Sequence, residues 1–279
     1  MSADIITNIN IVLEKIYSSI DGKVYNLLDD LCIISTDIIT KKPLNKIFID
    51  GSDKGMELIA FSLISCYVIS LIVEYMMSMY NGNKPSSIYK RVIKIIICSV
   101  FMSSSIYICK VVININYIFT EMIADIGETL VGEKICFESF KEKITDLNGY
   151  MNQDFVSLDG IIKGFVSFGT ITLLINYASR YVTIIFIILT SPIAIMFSAS
   201  NLTRGIFKAW IKTGITNLFI QWITMFILIV PLAFNEIGTT IYKVIIVGTI
   251  YLMYRINSFS REVLGNISEK VESEIKNIF

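Results

Sequence analysis

The chain has 279 residues, 54% of them hydrophobic and 17% charged, with a mean hydropathy of +0.65, which is too apolar for an ordinary soluble domain and points to a bilayer as the solvent. Lys plus Arg and Asp plus Glu are balanced at 24 each, so there is no general basic surplus to attract nucleic acid. Histidine is absent, which removes the commonest general base, imidazole metal ligation and Ser-His or Cys-His nucleophile pairs.

Residues 4–39 space Ile5, Ile9, Val12, Ile16, Ile20, Leu27, Leu28, Leu31 and Ile38 mostly three or four apart, with a break near Asp21-Gly22. This predicts an amphipathic helix pair rather than a membrane span. The start lacks a basic leader region and a continuous apolar core, so the segment is expected to be retained. Asp29-Asp30 is the one adjacent carboxylate pair, and on such a helix it reads as a solvated edge.

Met56 to Met79 is apolar over the ~20 residues that a helix needs to cross a hydrocarbon core of ~30 Å, and is predicted as the first span. Ser62, Cys66 and Ser70 repeat at four-residue steps, a small-residue face suited to close helix contact. Asn81 to Pro85 predicts a turn, and Lys84, Lys90, Arg91 and Lys94 make it a basic, cytoplasmic loop. The second span is predicted from Val92 to about Phe119. Glu74 and Lys94 near its start either pair or reach separately for water, and Lys110 lies deeper, where an ionisable group faces a bundle interior or snorkels.

Residues 121–163 carry nine acids against four lysines and read as an acidic extracytoplasmic loop. Ile161 to Ala199 comes next, about twice the minimal span. A turn at Asn176 to Arg180 would make it a hairpin, but that would place Arg204, Lys208 and Lys212 outside the cell and leave turn peptides unsatisfied in lipid. One long helix to Thr190 is therefore expected, bending at Pro192 into a short interfacial segment.

Asn176 and Arg180 are i and i+4 on this helix, as are Asn217 and Gln221 on the next, and each pair shares a face. Such groups either bond across helices or line water. The fourth span is predicted from Thr213 to Leu232 and the fifth from Thr239 to Tyr254, with an amphipathic tail after it.

The predicted fold is all-α and polytopic, with five spans. Its segments are 1–55, extracytoplasmic and amphipathic; 56–120, spans one and two; 121–163, the acidic loop; 164–257, spans three to five with the cytoplasmic connector 201–212; and 258–279, a cytoplasmic amphipathic tail. The N-terminus is outside and the C-terminus inside, with Lys41, Lys42, Lys46 and Lys54 counting against that orientation.

No phosphate-binding GxxxxGK[ST], HExxH or GxSxG motif occurs, and Cys32, Cys66, Cys98, Cys109 and Cys136 show no CxxC spacing. No catalytic, cofactor or metal site is expected, and the chain is read as a non-enzyme. Cys32 and Cys136 are on the same predicted side, either paired or as free thiols. There is no 20- to 50-residue repeat and no inverted-repeat signature of a transporter.

The stretch LTSPIAIMFSASNLTRGIFKAWIKTGITNLFIQW, with Ser191-Pro192, Ser198 to Ser200, Thr203-Arg204, Phe207 and Trp210, resembles the TrbL-type polytopic inner-membrane subunits of type IV secretion and conjugation systems. The resemblance implies five spans, an external N-terminus, a large loop between spans two and three, and a cytoplasmic C-terminus. It also implies a homo-oligomeric channel or platform subunit that helps to move relaxase-linked single-stranded DNA or proteins. The implied partners are other secretion subunits and the transfer ATPases. Lys110, Asn176, Arg180, Asn217 and Gln221 are then the candidate lumen or subunit contacts, and Pro192, Arg204 and Trp210 the bend and connector. A small-molecule permease is the competing reading, supported by the intramembrane charges Glu74, Lys110 and Arg180.

Overall fold

The computed structural model describes residues 24–40, 55–80, 88–149, 158–200, 203–234, 238–256, 258 and 260. Among the described residues the chain is helical and without strands. The helices are α1 (24–32), α2 (Asp37–Thr40), α3 (Gly55–Tyr80), α4 (Ile88–Ser103), α5 (Ser105–Val131), α6 (Phe137–Gly149), α7 (Leu158–Phe197), α8 (Arg204–Ala233) and α9 (240–256). Residues 1–23, 41–54, the whole 81–87 turn, 150–157, 201–202, 235–237 and the tail beyond Ser260 lie outside the described residues, as does the break expected near Asp21-Gly22.

Among the described residues four helices are long and apolar enough to cross a membrane: Ile59–Met77 within α3, α5, Asp159–Phe197 within α7, and α8. This is the construction of a multi-pass membrane protein. The predicted fifth span is helical over 240–256 but is not among those four.

The second predicted span is divided by one irregular residue, Ser104, in a run of three serines. The Ser103 hydroxyl donates to the Ser99 carbonyl at 3.2 Å, the local competition with backbone pairing that serine introduces. Helical bonding carries on across it, from Ser104 N–H to Val100 O and from Ile108 N–H to Ser104 O.

The acidic stretch 121–163 is also largely helical. Its first part prolongs α5 to Val131, where Gly132, at φ 80°, closes the helix and its N–H bonds the Glu128 carbonyl at 2.7 Å. α6 then begins at Phe137.

α7 is one 40-residue helix, as expected against the hairpin, but it continues through Pro192 to Phe197 rather than ending at Thr190. Proline removes one backbone donor. In apolar surroundings the remaining peptide groups have no better partner than the helix, so one lost bond does not end it. The basic connector is likewise helical from Arg204 onward and forms the first turns of α8. Gly238, at φ 96°, and the Thr239 hydroxyl, which accepts from Tyr242 N–H at 3.2 Å, start α9.

The chain divides into two compact units. The first comprises Met1–Ile34, Asn116–Tyr181 and Thr216–Phe279, and its core gathers Tyr25, Leu28, Phe137, Phe140, Leu173, Tyr177, Leu228, Ile246 and Ile250. The second comprises Ser35–Ile115 and Val182–Ile215; within it α3 packs on α4, and Ala60, Cys98, Met102 and Met196 form a small core. Ile69, Met76 and Val100 in this second unit expose 60% or more of their surface, an apolar exterior that water does not favour and lipid does.

In the first unit two glycines let helices approach closely. A Cβ on Gly169 would meet Ile250 Cγ2 at 2.5 Å, and one on Gly127 would meet Ile135 and Ile229 at 2.7 and 2.9 Å, whereas Gly248 has nothing within 4 Å. We therefore expect Gly169→Val to destabilise the protein by about 1–3 kcal/mol through overpacking. Gly248→Ala should be neutral or stabilising by up to about 1 kcal/mol through helix propensity. Thermal melts in detergent check the pair; equal melting temperatures for the two variants would contradict the close approach.

Candidate functional site

On α7 the buried residues Ile162, Val166, Thr170, Leu173, Tyr177 and Arg180 follow one another at steps of three and four. This periodicity brings a charged group onto a helix face that is otherwise core. On α8 the same geometry aligns Asn217, Gln221 and Thr224, and α5 contributes Asn116 and Thr120. All belong to the first unit.

Arg180 is only 3% exposed and makes three hydrogen bonds from different sides of its guanidinium. Nε donates to the Asn217 carbonyl at 2.7 Å, Nη1 to the Cys32 carbonyl at 3.1 Å, and Nη2 to Gln221 Oε1 at 3.4 Å. Among the described residues no carboxylate pairs with it. The charge is thus held by carbonyl dipoles. The Cys32 carbonyl is one of the unpaired groups at the C-terminal end of α1, the negative pole of that helix, so the bond serves as a cationic C-cap as well.

Gln221 is fully buried and spends its carbonyl three times: Oε1 also accepts from Asn116 Nδ2 at 3.1 Å and from the Ile34 backbone N–H at 3.3 Å. Its Nε2 has no hydrogen-bond partner. Exchanging the amide's oxygen and nitrogen would not help, because its neighbours are donors. Around this centre the Asn116 carbonyl accepts from Trp222 Nε1 at 3.3 Å and from Thr120 Oγ1 at 2.9 Å, and the Tyr177 and Thr224 hydroxyls lie 2.8 Å apart. The result is a polar knot tying α1, α5, α7 and α8.

The candidates read from sequence are thus divided. Arg180, Asn217 and Gln221 come together, Asn217 through its backbone carbonyl. Asn176 lies half-buried one turn before Arg180, and Lys110 lies in the second unit, exposed. Also in that unit, Pro192 is buried, Arg204 is exposed at the start of α8, and Trp210 Nε1 donates to Thr190 Oγ1 at 3.2 Å while its ring stacks on Phe207.

Asn116 is not among the residues that sequence reasoning singles out, although the two amides Asn114 and Asn116 in an apolar run are an available signal. The part played by the Cys32 and Ile34 peptide groups leaves no trace in side-chain identity. The five cysteines are free thiols. Among the described residues no cluster of histidine, cysteine or carboxylate groups is arranged to hold a metal ion.

Within α1, Asp29 departs from its expected solvated role while Asp30 keeps it. Asp29 Oδ1 and Oδ2 accept from the Phe137 and Glu138 N–H groups at 2.8 and 3.1 Å, capping α6 from a distant part of the chain. Burial nevertheless holds the Asp29 carboxyl above its ordinary value of 3.8, outweighing the two backbone bonds, with Glu138 raising it further and Lys134 lowering it. Ion pairs also brace the unit: Lys143 with Glu133 at 2.7 Å, and Lys243 with Asp159, in the first turn of α7, at 2.5 Å.

No family model, no curated protein and no solved structure matches this chain.

The knot and the cap each have a measurable consequence. Gln221→Leu leaves three donors without their acceptor and should cost about 3 kcal/mol or more, whereas Gln221→Glu gives Arg180 a counter-ion and removes the orphaned Nε2, so it should match or exceed the wild type. Denaturation in detergent orders the three proteins; Glu falling below Leu would refute the assignment. For Asp29, a raised folded pKa means that its favourable contribution is present below the ordinary value and is lost as pH climbs through the folded value. Asp29→Asn should therefore flatten stability against pH across the acidic range, and an unchanged slope would count against burial as the cause.

Proposed function

We propose that this chain is a structural channel or platform subunit of a type IV secretion system of the conjugative DNA-transfer class, similar to TrbL-type proteins. It sits in the inner, cytoplasmic membrane with its N-terminus outside and its C-terminus inside, α9 making the fifth crossing. It assembles with copies of itself, with other secretion subunits and with the transfer ATPases, and helps relaxase-linked single-stranded DNA or protein substrates across the membrane.

The observation that carries the proposal is the helix through Pro192 together with the basic start of α8. α7 runs through Pro192 to Phe197, and α8 opens with Arg204, Lys208 and Lys212 exposed, its Trp210 fastened to Thr190. This is the stretch that carries the resemblance, and its exposed cationic start fits the cytoplasmic surface of a crossing. The buried polarity of the first unit is used to fasten helices together, which suits a scaffold better than a reaction centre.

Complementation tests the reading. Deletion of the gene should abolish conjugative transfer and expression of the intact chain should restore it. Pro192→Ala, which returns a donor to α7, should insert normally yet lower transfer at least about tenfold, because packing against a rebuilt helix end changes by about 1–3 kcal/mol. Full transfer by a well-expressed Pro192→Ala protein would remove the role given to the proline. Solute movement by the purified chain alone in liposomes would favour the permease instead.

A further inference from the structure

Residues 24–34 are held in the first unit by contacts of an unusual kind. At the C-terminal end of the segment the side chains of Arg180 and Gln221 take hold of peptide groups, the Cys32 carbonyl and the Ile34 N–H. At its N-terminal end the Tyr25 hydroxyl meets Thr170 Oγ1 at 3.3 Å, and between the two Asp29 caps α6. One face of the segment, Tyr25, Leu28, Cys32 and Ile34, is buried to 1% exposure or less, while Leu27 and Asp30 are exposed.

The docked state also carries two unanswered costs at one place. Arg180 is buried without a carboxylate among the described residues, and Gln221 Nε2 is buried without an acceptor. Both groups would recover water if the segment left, so the free-energy gap between docked and undocked forms is narrowed from the polar side while the apolar face holds it from the other.

We propose that residues 24–34 are an intramolecular latch, a detachable segment that closes over a polar seat made by Asn116, Arg180 and Gln221, and whose release uncovers those donors. The seat recognises peptide groups, so it grips the backbone of the segment and leaves the apolar face to set register. Release frees α6 from its cap at the same moment, because Asp29 belongs to the segment, and this couples the seat to the start of α6.

The test uses the full chain in membranes, with Cys66, Cys98, Cys109 and Cys136 replaced by serine so that Cys32 is the single thiol. Cys32 is fully buried, and burial pushes its thiol up to about 11, so maleimide reaches it only when the latch opens. Arg180→Gln and, separately, Asp29→Ala should each raise the labelling rate about tenfold or more, as expected for loss of a charge-assisted bond. The far-UV helix signal and the protection of α7 amides should stay unchanged. In a second measurement Thr224→Cys, beside Cys32, should form a disulfide readily in the parent and poorly in Arg180→Gln.

Unchanged labelling in both variants, or labelling that rises only together with loss of α7 protection, would make the segment an ordinary part of the core and overturn the latch. If Arg180→Gln does not insert, Asp29→Ala decides by the same criteria. In the unmodified protein, amide exchange at residues 24–34 should outpace that of α7 by local opening, and equal protection would also overturn it.

Discussion

The first unit depends on one constraint: a guanidinium buried away from water with no acid among the described residues to balance it. A charge in that position is tolerated only if dipoles surround it, and Arg180 finds them in the carbonyls of Cys32, Asn217 and Gln221. These acceptors come from distant places in the chain. Meeting the demand of one side chain thus fixes the approach of α1, α7 and α8 together, and Gln221 extends the requirement to Asn116 on α5. Apolar packing supplies most of the cohesion, but it is indifferent to small rotations of a helix. Directional bonds to a planar, five-donor group are not.

The two units put their apolar residues to different use. In the first, aromatic and branched side chains interlock, and Gly127 and Gly169 bring backbones close enough for them to do so. In the second, the small core of Ala60, Cys98, Met102 and Met196 leaves broad apolar faces on α3 and α4 turned outward. Such faces need lipid or another protein against them, which is the physical reason to place this chain in a bilayer.

Much of this was legible in the residues. The helical class, the apolar stretches and the unbroken α7 are read from hydropathy, from the penalty on unpaired peptides in lipid, and from the distribution of Arg204, Lys208 and Lys212. The i, i+4 spacing of Asn217 and Gln221 marked the face that meets Arg180. Helix ends were harder. Pro192 reads as a stop from propensity, yet the helix continues because an apolar setting penalises fraying more than it penalises one missing donor. The acidic stretch reads as a loop from its charge, yet α5 and α6 extend into it, since charges on the exposed face of a helix do not oppose its backbone bonds. Asp29 looked solvated because the partner that buries it lies more than a hundred residues away.

Arg180 sits just past the middle of α7, and the order in which its acceptors are synthesised bears on biogenesis. When α7 leaves the ribosome, Asn217 and Gln221 still lie behind it in the chain, and α8 has not yet been inserted beside it. Of the three acceptors, only that of Cys32 has already emerged. An arginine near the centre of a nascent span costs on the order of 2.5–3.5 kcal/mol to insert, which the isoleucines and leucines of α7 can offset. The early chain can therefore act as a chaperone in cis, shielding the charge until α8 arrives to complete its coordination.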